Sequence, residues 1–326
     1  MPDAARTIVV AIGGNALSPS GESASVHNQF RHTRQSLQAI VPLALEGWRI
    51  VIVHGNGPQV GDALVRNEAA RGLVDPLPLG VLVAGTAGWI GYMIQQSLEN
   101  ALARHGCERR VVTLISQVRV EADDPALANP TKFVGRALEP PAAETLRRAG
   151  IRVEADGNGK LRRLVPSPRP VEIVEARMIA DLAARGDIVI AAGGGGIPVY
   201  HDDELGLEGV DAVVDKDRAA AILAGSIGAG QLLILTDVDG VYTDWGTEHA
   251  RRIERMSVAE ARRLLDGPEL SRAGGSMRPK VEAAADFVAE GGRRAVIAAL
   301  EDGPAAVAGQ AGTEIVNDGT FDAGET

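Results

Sequence analysis

The sequence predicts an α/β fold with a mainly parallel sheet, on three observations. Ile8–Ile12, Ile50–Val53 and Ile188–Ala192 are runs of β-formers apolar on both faces, as strands buried in a parallel sheet are. Each run ends abruptly in glycine: Gly13-Gly14-Asn15, then His54-Gly55-Asn56-Gly57-Pro58, then Gly193-Gly194-Gly195-Gly196. Between the runs lie stretches with helical spacing, and strands alternating with helices imply parallel pairing by right-handed crossovers. Ligands of open α/β sheets sit beyond the carboxyl ends of the strands, so the glycine turns are the candidate binding loops. Taken singly, each Gly-Gly pair reads as an ordinary tight turn; the recurrence sets it apart.

Taken in order, 26–45 carries apolar residues at Phe30, Leu37, Ile40, Val41 and Leu45, a helix that Pro42 should kink. Arg49–Val53 completes a βαβ unit. Gln59–Arg71 reads as a second helix opening from the glycine turn. Asp75–Leu79 is broken by proline, and Trp89–Ala103 reads as the third helix. Val111–Ile115 reads as a strand. The rhythm then changes, with prolines between 121 and 141 and an alternating 151–165 that holds the turn signal Asp156-Gly157-Asn158-Gly159. The stretch 118–170 is therefore read as a small, partly β excursion from the main sheet. Ile173–Arg185 is a helix, Arg218–Ala224 an alanine-rich helix, Gln231–Thr236 a strand and Val258–Leu265 a helix. Pro279 suits the first turn of a helix reaching Glu290. Arg294–Ala299 is a strand and Thr313–Val316 a last edge strand. Residues 1–225 and 226–326 read as two lobes of one continuous sheet.

Composition narrows the function. With 45% apolar and 23% charged residues, the chain of 326 residues is an ordinary globular protein. A net charge of −10 argues against nonspecific binding of nucleic acid or anionic membrane. Any small anionic ligand must meet locally placed cations. Cys107 is the single cysteine, so no intrachain disulfide forms and the cytosol is the natural compartment. The start, M-P-D-A-A-R, has no signal pattern. No apolar run approaches ~18 residues, the length of a membrane span. The histidines form no close pair and there is no C-x-x-C, so no structural zinc site is expected, and no residue is assigned to a resident metal.

Two phosphate motifs are absent. No P-loop G-x-x-x-x-G-K-[ST] occurs, and Gly55-Asn56-Gly57-Pro58-Gln59-Val60 misses the dinucleotide fingerprint at its third glycine. Phosphoryl transfer needs positioning and cations over the moving group. Lys132, Lys160, Lys216 and Lys280 are the only lysines in an arginine-rich chain. Three of them sit in breaks, in N-P-T-K, V-D-K-D and M-R-P-K. Any one alone reads as a surface lysine; three retained at turns point to a mobile point charge for a migrating phosphoryl group. Asp217 holds these lysines by ion pairing, caps the helix at Arg218, or does both.

In sequence order, Gly13-Gly14-Asn15-Ala16, H-G-N-G-P-Q-V-G at 54–61, N-P-T-K at 129–132, G-G-G-G-I-P-V at 193–199, V-D-K-D at 214–217 and G-S-M-x-P-K at 275–280 resemble carbamate kinase, a member of the amino acid kinase superfamily. The resemblance runs nearly the whole chain. It implies a three-layer αβα sandwich with a mainly parallel sheet of about eight strands and a protruding subdomain near 118–170. It also implies the reaction ATP + carbamate ⇌ ADP + carbamoyl phosphate, run toward ATP in the arginine fermentation of many bacteria, with Mg²⁺ and in a cytoplasmic homodimer. By motif, Gly13, Gly14, Asn15, Gly55, Asn56, Gly57, Gly194 and Gly195 would cradle the carbamoyl phosphate end. Lys132 would reach over the substrate, Lys216 and Lys280 would contact the nucleotide phosphates, and Asp217 would organise the lysines. Asp237, Tyr242 and Met277 lie where the family surrounds the nucleoside. Two departures stand out: Thr86-Ala87-Gly88 where the family often has Thr-Gln-Gly, and Phe133 in place of the proline after the N-P-T-K lysine. Other readings are a kinase of the same fold acting on another small acid or phosphate, or a silent nucleotide sensor. A sensor would be expected to lack a catalytic lysine or Asp217.

Overall fold

The computed structural model of the protein describes residues 6–19, 22–157, 159–267, 270 and 277–319. Its centre is an eight-stranded sheet. From edge to edge the strands are Arg255–Ser257, Thr313–Val316, Arg294–Ala299, Gln231–Thr236, Thr7–Ile12, Arg49–His54, Ile188–Ile190 and Val111–Thr113. All neighbours are parallel except Arg294–Ala299 with Thr313–Val316, which run antiparallel.

The apolar runs explain the layers. Every side chain of Thr7–Ile12 is buried, and successive residues point to opposite faces. Val9 and Ala11, with Val51 and Val53, enter one core, which includes Ile179, Leu223, Ala284 and Phe287. Ile8, Val10 and Ile12, with Ile50 and Ile52, enter a second core against Ile90, Ile94 and Leu98. Helices Ala176–Ala184, Lys216–Ser226, Val258–Asp266 and Met277–Ala289 cover the first face, and the long helix Leu79–Arg104 covers the other. The fold is a three-layer αβα sandwich. The first strand pairs with Arg49–His54 on one side and Gln231–Thr236 on the other, so the connections diverge at its carboxyl end, where such sheets bind ligands.

Several boundaries differ from the sequence reading. The 26–45 helix is Val26–Ser36, a 3₁₀ turn Leu37–Ala39, and Val41–Leu45. The break falls ahead of Pro42, whose ring and missing N–H cannot continue the preceding helix. The helix read as beginning at Trp89 begins at Leu79. Its glycines depress helix propensity, but packing decides: a Cβ at Gly91 would overlap the Thr113 methyl, so glycine lets the helix lie on the sheet edge. Thr313–Val316 is next to the edge rather than at it, because the three-residue strand Arg255–Ser257 lies outside it. Among the described residues, Pro279 is the third of its helix, Met277–Ala289.

Within 118–170, Lys132–Val134, Leu161–Val165 and Val153–Ala155 form an antiparallel three-stranded sheet with Lys132–Val134 at one edge. Gln117–Arg119 instead joins Ile197–Asp202, Gly206–Gly209 and Glu172–Ile173 in a four-stranded sheet. The small sheet docks on helix Gly57–Ala69 through Val134 and Val165 against Val60 and Leu64. Its main-chain approach is close: the N–H of Gly135 donates to the Gly57 carbonyl at 3.1 Å, and a Cβ on Gly61 would overlap Gly135.

Candidate active site

The glycine turns meet at the carboxyl ends of neighbouring strands. Gly55 lies against Gly14, where an added Cβ would be 2.8 Å from the Gly14 nitrogen and 3.2 Å from Cδ of Lys216. The third turn curls beside them with φ of +70, +95 and +85 at Gly194, Gly195 and Gly196. A Cβ on Gly194 would strike the Asn56 amide, and one on Gly195 the Val214 carbonyl. The result is a wall of main chain. Asn56 is buried, and its amide donates to the Thr86 hydroxyl at 2.9 Å, so that side chain ties the second turn to the long helix. His54 is fully enclosed behind the wall, its Nδ1 3.1 Å from the Gly55 carbonyl oxygen. Burial lowers its pKa to about 4, against weaker support from Gly55 and Ala87.

The lysines converge on the same edge. Helix Lys216–Ser226 is capped by Asp215, whose Oδ1 accepts from the N–H of Asp217 at 2.9 Å and of Arg218 at 3.3 Å. The helix thus starts at Lys216 rather than Arg218, and Asp217 is not its cap. Asp217 lies in the first turn with its side chain only 3% exposed. One carboxylate oxygen pairs with Lys216 and the other with Lys280 at 3.1 Å. Lys280, on helix Met277–Ala289, is buried. Lys132 extends from the small sheet and pairs with Oδ2 of Asp215.

Electrostatics follow from this crowding. Burial drives the carboxyls of Asp215 and Asp217 up, but the surrounding lysines outweigh it and hold both below the usual range. Burial lowers Lys216 more than Asp217 restores it, and Lys280 adds repulsion. For Lys280 the attraction of Asp217, Asp215 and Asp237 overcomes burial, so its net shift is upward. A compact cationic cluster with its counter-charges built in stands beside a wall of peptide groups.

Residues 6–299 match the model of the amino acid kinase family. The chain is 42% identical over 314 residues to the carbamate kinase of Pyrococcus furiosus, covering 95% of this chain and 99% of the relative. Among solved structures, Giardia lamblia carbamate kinase bound to citric acid matches with a TM-score of 0.91 at 35% identity, over 96% of this chain and 99% of that one. The same enzyme bound to AMP-PNP matches with a TM-score of 0.87 over the same shares. The chain belongs to the amino acid kinase family, among the carbamate kinases. It is a phosphotransferase.

In this kinase the expected site residues are not all equally close. Gly14, Gly55, Asn56, Gly57, Gly194 and Gly195 stand together with Lys216, Asp217, Lys280 and Lys132. Gly13 lies at the central strand's end, 3.8 Å from the Leu235 carbonyl to an added Cβ, and Asn15 stands in the short turn Gly14–Leu17. Asp237 follows strand Gln231–Thr236 and reaches Lys280 by charge. Tyr242 sits in a separate hairpin, donating to Asp239 at 2.8 Å and packing edge-on to Trp245. Met277 packs into the first core. Residues 274–276 of the G-G-S-M motif lie outside the described residues. Lys160 is exposed at the tip of the small sheet.

Sequence reasoning missed Asp215, although an aspartate before an alanine-rich helix is a cap signal. It also missed Thr86, for which nothing local pointed to Asn56, 30 residues away. At the departures, Ala87 is buried with its Cβ 3.0 Å from the Cβ position of Gly193. Phe133 lies under the Arg162 guanidinium, 5.8 Å from the ring centroid.

Among the described residues no three His, Cys, Asp or Glu side chains group as a resident metal needs. Both oxygens of Asp217 and both of Asp215 already have partners. No helix among the described residues is long and apolar enough to cross a membrane.

Proposed function

We propose that this kinase transfers a phosphoryl group reversibly between ATP and carbamate, making carbamoyl phosphate and ADP in one direction and ATP in the other. The observation that carries the reading is the cluster of Lys132, Lys216 and Lys280 with Asp215 and Asp217, set against glycine turns at the carboxyl ends of the strands. The main-chain N–H groups of the glycine turns receive the oxygens of the carbamoyl phosphate end, since no Cβ keeps a small anion away. Lys216 and Lys280 neutralise the nucleotide phosphates and Asp217 fixes their spacing. Lys132 comes over the transferred phosphoryl group, whose equatorial oxygens gain most from a nearby cation. Mg²⁺ enters as part of the nucleotide substrate. The nucleoside lies toward Asp237, Tyr242 and Met277.

The working unit is a homodimer in the cytoplasm. Val81, Trp89 and Tyr92 expose a stripe along helix Leu79–Arg104, with exposed Ile115 beside Gly88 on the same helix. A face of that kind favours burial against a second copy.

The test is ATP formation from ADP, carbamoyl phosphate and Mg²⁺ in a coupled assay. Turnover that a chelator abolishes is expected. Phosphorylation of acetate or glutamate with none of carbamate would overturn the acceptor assignment, and turnover undiminished by chelator would overturn the metal requirement.

A further inference from the structure

We propose that Asp215 is a positioning residue that holds Lys132, and with it the small sheet, in register with the first turn of helix Lys216–Ser226. The inference rests on the reading above that Lys132 meets the phosphoryl group. Asp215 divides its two oxygens between two structures. Oδ1 takes the N–H groups of Asp217 and Arg218, fixing the carboxylate to the helix start. Oδ2 takes the Lys132 ammonium from across 83 residues of sequence. The lysine side chain is 29% exposed and the aspartate 14%, so the pair stands at the site's rim, less screened than a surface pair.

Several contacts make this link specific. Lys132 lies on an edge strand of the small sheet, so no outer strand restrains its side chain. The base of the sheet is clamped elsewhere, by Gly135 on Gly57, by Arg163 with Glu68, by Arg136 with Asp62 at 3.5 Å, and by the Val213 N–H donating to Pro166 at 3.0 Å. Those contacts place the sheet but do not touch the Lys132 ammonium. Asp215 is the group that does. Because the same carboxylate caps the helix that carries Lys216 and Asp217, one residue sets the distance between the lysine of the small sheet and the lysines of the core. The other cations around Asp215 are Lys216 and Lys280. They are engaged by Asp217, and among the described residues the ion pair of Lys132 is with Asp215.

The scarcity of lysine makes the proposal testable by residue. The ligand-free protein is treated with N-acetoxysuccinimide, and acetylation of Lys132 is followed by mass spectrometry against exposed Lys160 on the same small sheet. Asn and Ser cap helices about as well as Asp, so Asp215→Asn and Asp215→Ser keep the cap while removing the charge; either serves if the other folds poorly. Lys132 is expected to react more than about 2-fold and up to about 5-fold faster in both variants, as losing an ion pair worth up to about 1 kcal/mol gives. The kcat is expected to fall about 10- to 100-fold through misplacement, with KM for ADP unchanged. In the Lys132→Met background, Asp215→Asn is expected to add no further loss, since the effect passes through that lysine. Lys132 reactivity within about 2-fold of wild type would overturn the proposal, as would a full additional kcat loss in the Lys132→Met background. The footprint needs no substrate, so failure of the carbamate reading in the ATP assay and failure of this one are distinguishable.

Discussion

Lys280 and Lys132 serve the same small volume from opposite kinds of scaffold. Lys280 rises from a helix packed in the main core, is buried, and shares Asp217 with Lys216. Lys132 comes from an edge strand of a three-stranded sheet, is partly exposed, and leans on Asp215. The first arrangement is preorganised before any ligand arrives; the second depends on how the small sheet sits on helix Gly57–Ala69. On the proposed reading, the difference means that the two cations contribute at different stages. A charge present in the ground state lowers the energy of bound nucleotide as well as of the transition state, whereas one brought over the moving group acts mainly on turnover.

Asp217 offers the largest break. Asp217→Asn removes the anion between two buried ammonium groups, and breaking a buried pair on one side destabilises by about 3–5 kcal/mol. Turnover is expected to fall by at least about 10³-fold, a little beyond the loss of one preorganised donor. Thermal melting and kcat read together check it. Near-wild-type values for both would remove Asp217 from the site, because the cap role belongs to Asp215.

The comparison itself is tested by the two lysines. Lys280→Met and Lys132→Met are each expected to lower kcat about 10²–10³-fold. Only Lys280→Met should also weaken ADP binding in a calorimetric titration, and it should lower the melting temperature more than Lys132→Met does, since Asp217 is 3% exposed and Asp215 14%. ADP affinity lost in Lys132→Met and kept in Lys280→Met would reverse the assignments.

His54 sharpens the contrast from the core side. Its folded pKa near 4 lies below the ordinary 6.5, so between those values the unfolded chain binds a proton that the folded one refuses. Stability is therefore fully present above pH 6.5 and is lost as pH falls toward 4, by roughly 3 kcal/mol over the window. Urea unfolding at steps of pH should show that slope, and His54→Asn should flatten it whatever its absolute stability. The smallest effect belongs to the small sheet's rim. Arg163→Ala removes a pair whose side chains are 21% and 24% exposed, and such pairs contribute up to about 1 kcal/mol. Less than about a 5-fold change in kcat/KM is expected; a larger one would mean that the sheet's docking rests on this pair.

Much of this was legible because buried parallel strands have an unmistakable composition. Gln231–Thr236, Arg294–Ala299 and Thr313–Val316 are where the apolar runs place them. Short edge strands such as Arg255–Ser257, and the hairpin partners Val241–Thr243 and Arg251–Ile253, escaped because three residues carry no period. The long helix was cut short because its glycines and the neighbouring prolines weigh against helix locally, while contact with the sheet edge decides the matter tertiarily. At the site, lysine scarcity drew attention to three side chains that the fold gathers. The division of labour between Asp215 and Asp217 was hidden, since two aspartates flanking one lysine look alike until the helix start is known.

The turn Gly193–Gly196 has a consequence for how this pocket could change its taste. A side chain at Gly194 or Gly195 has both an unfavourable φ and an occupied space to overcome. That wall is consequently mute to point mutation: it presents the same peptide atoms in every tolerated variant. On the proposed reading, room for a bulkier acid would come through the side chains packed behind the turn, Thr86 against Asn56 and Ala87 against Gly193. A selection for new acceptors should accordingly return substitutions on the helix and leave the glycines untouched.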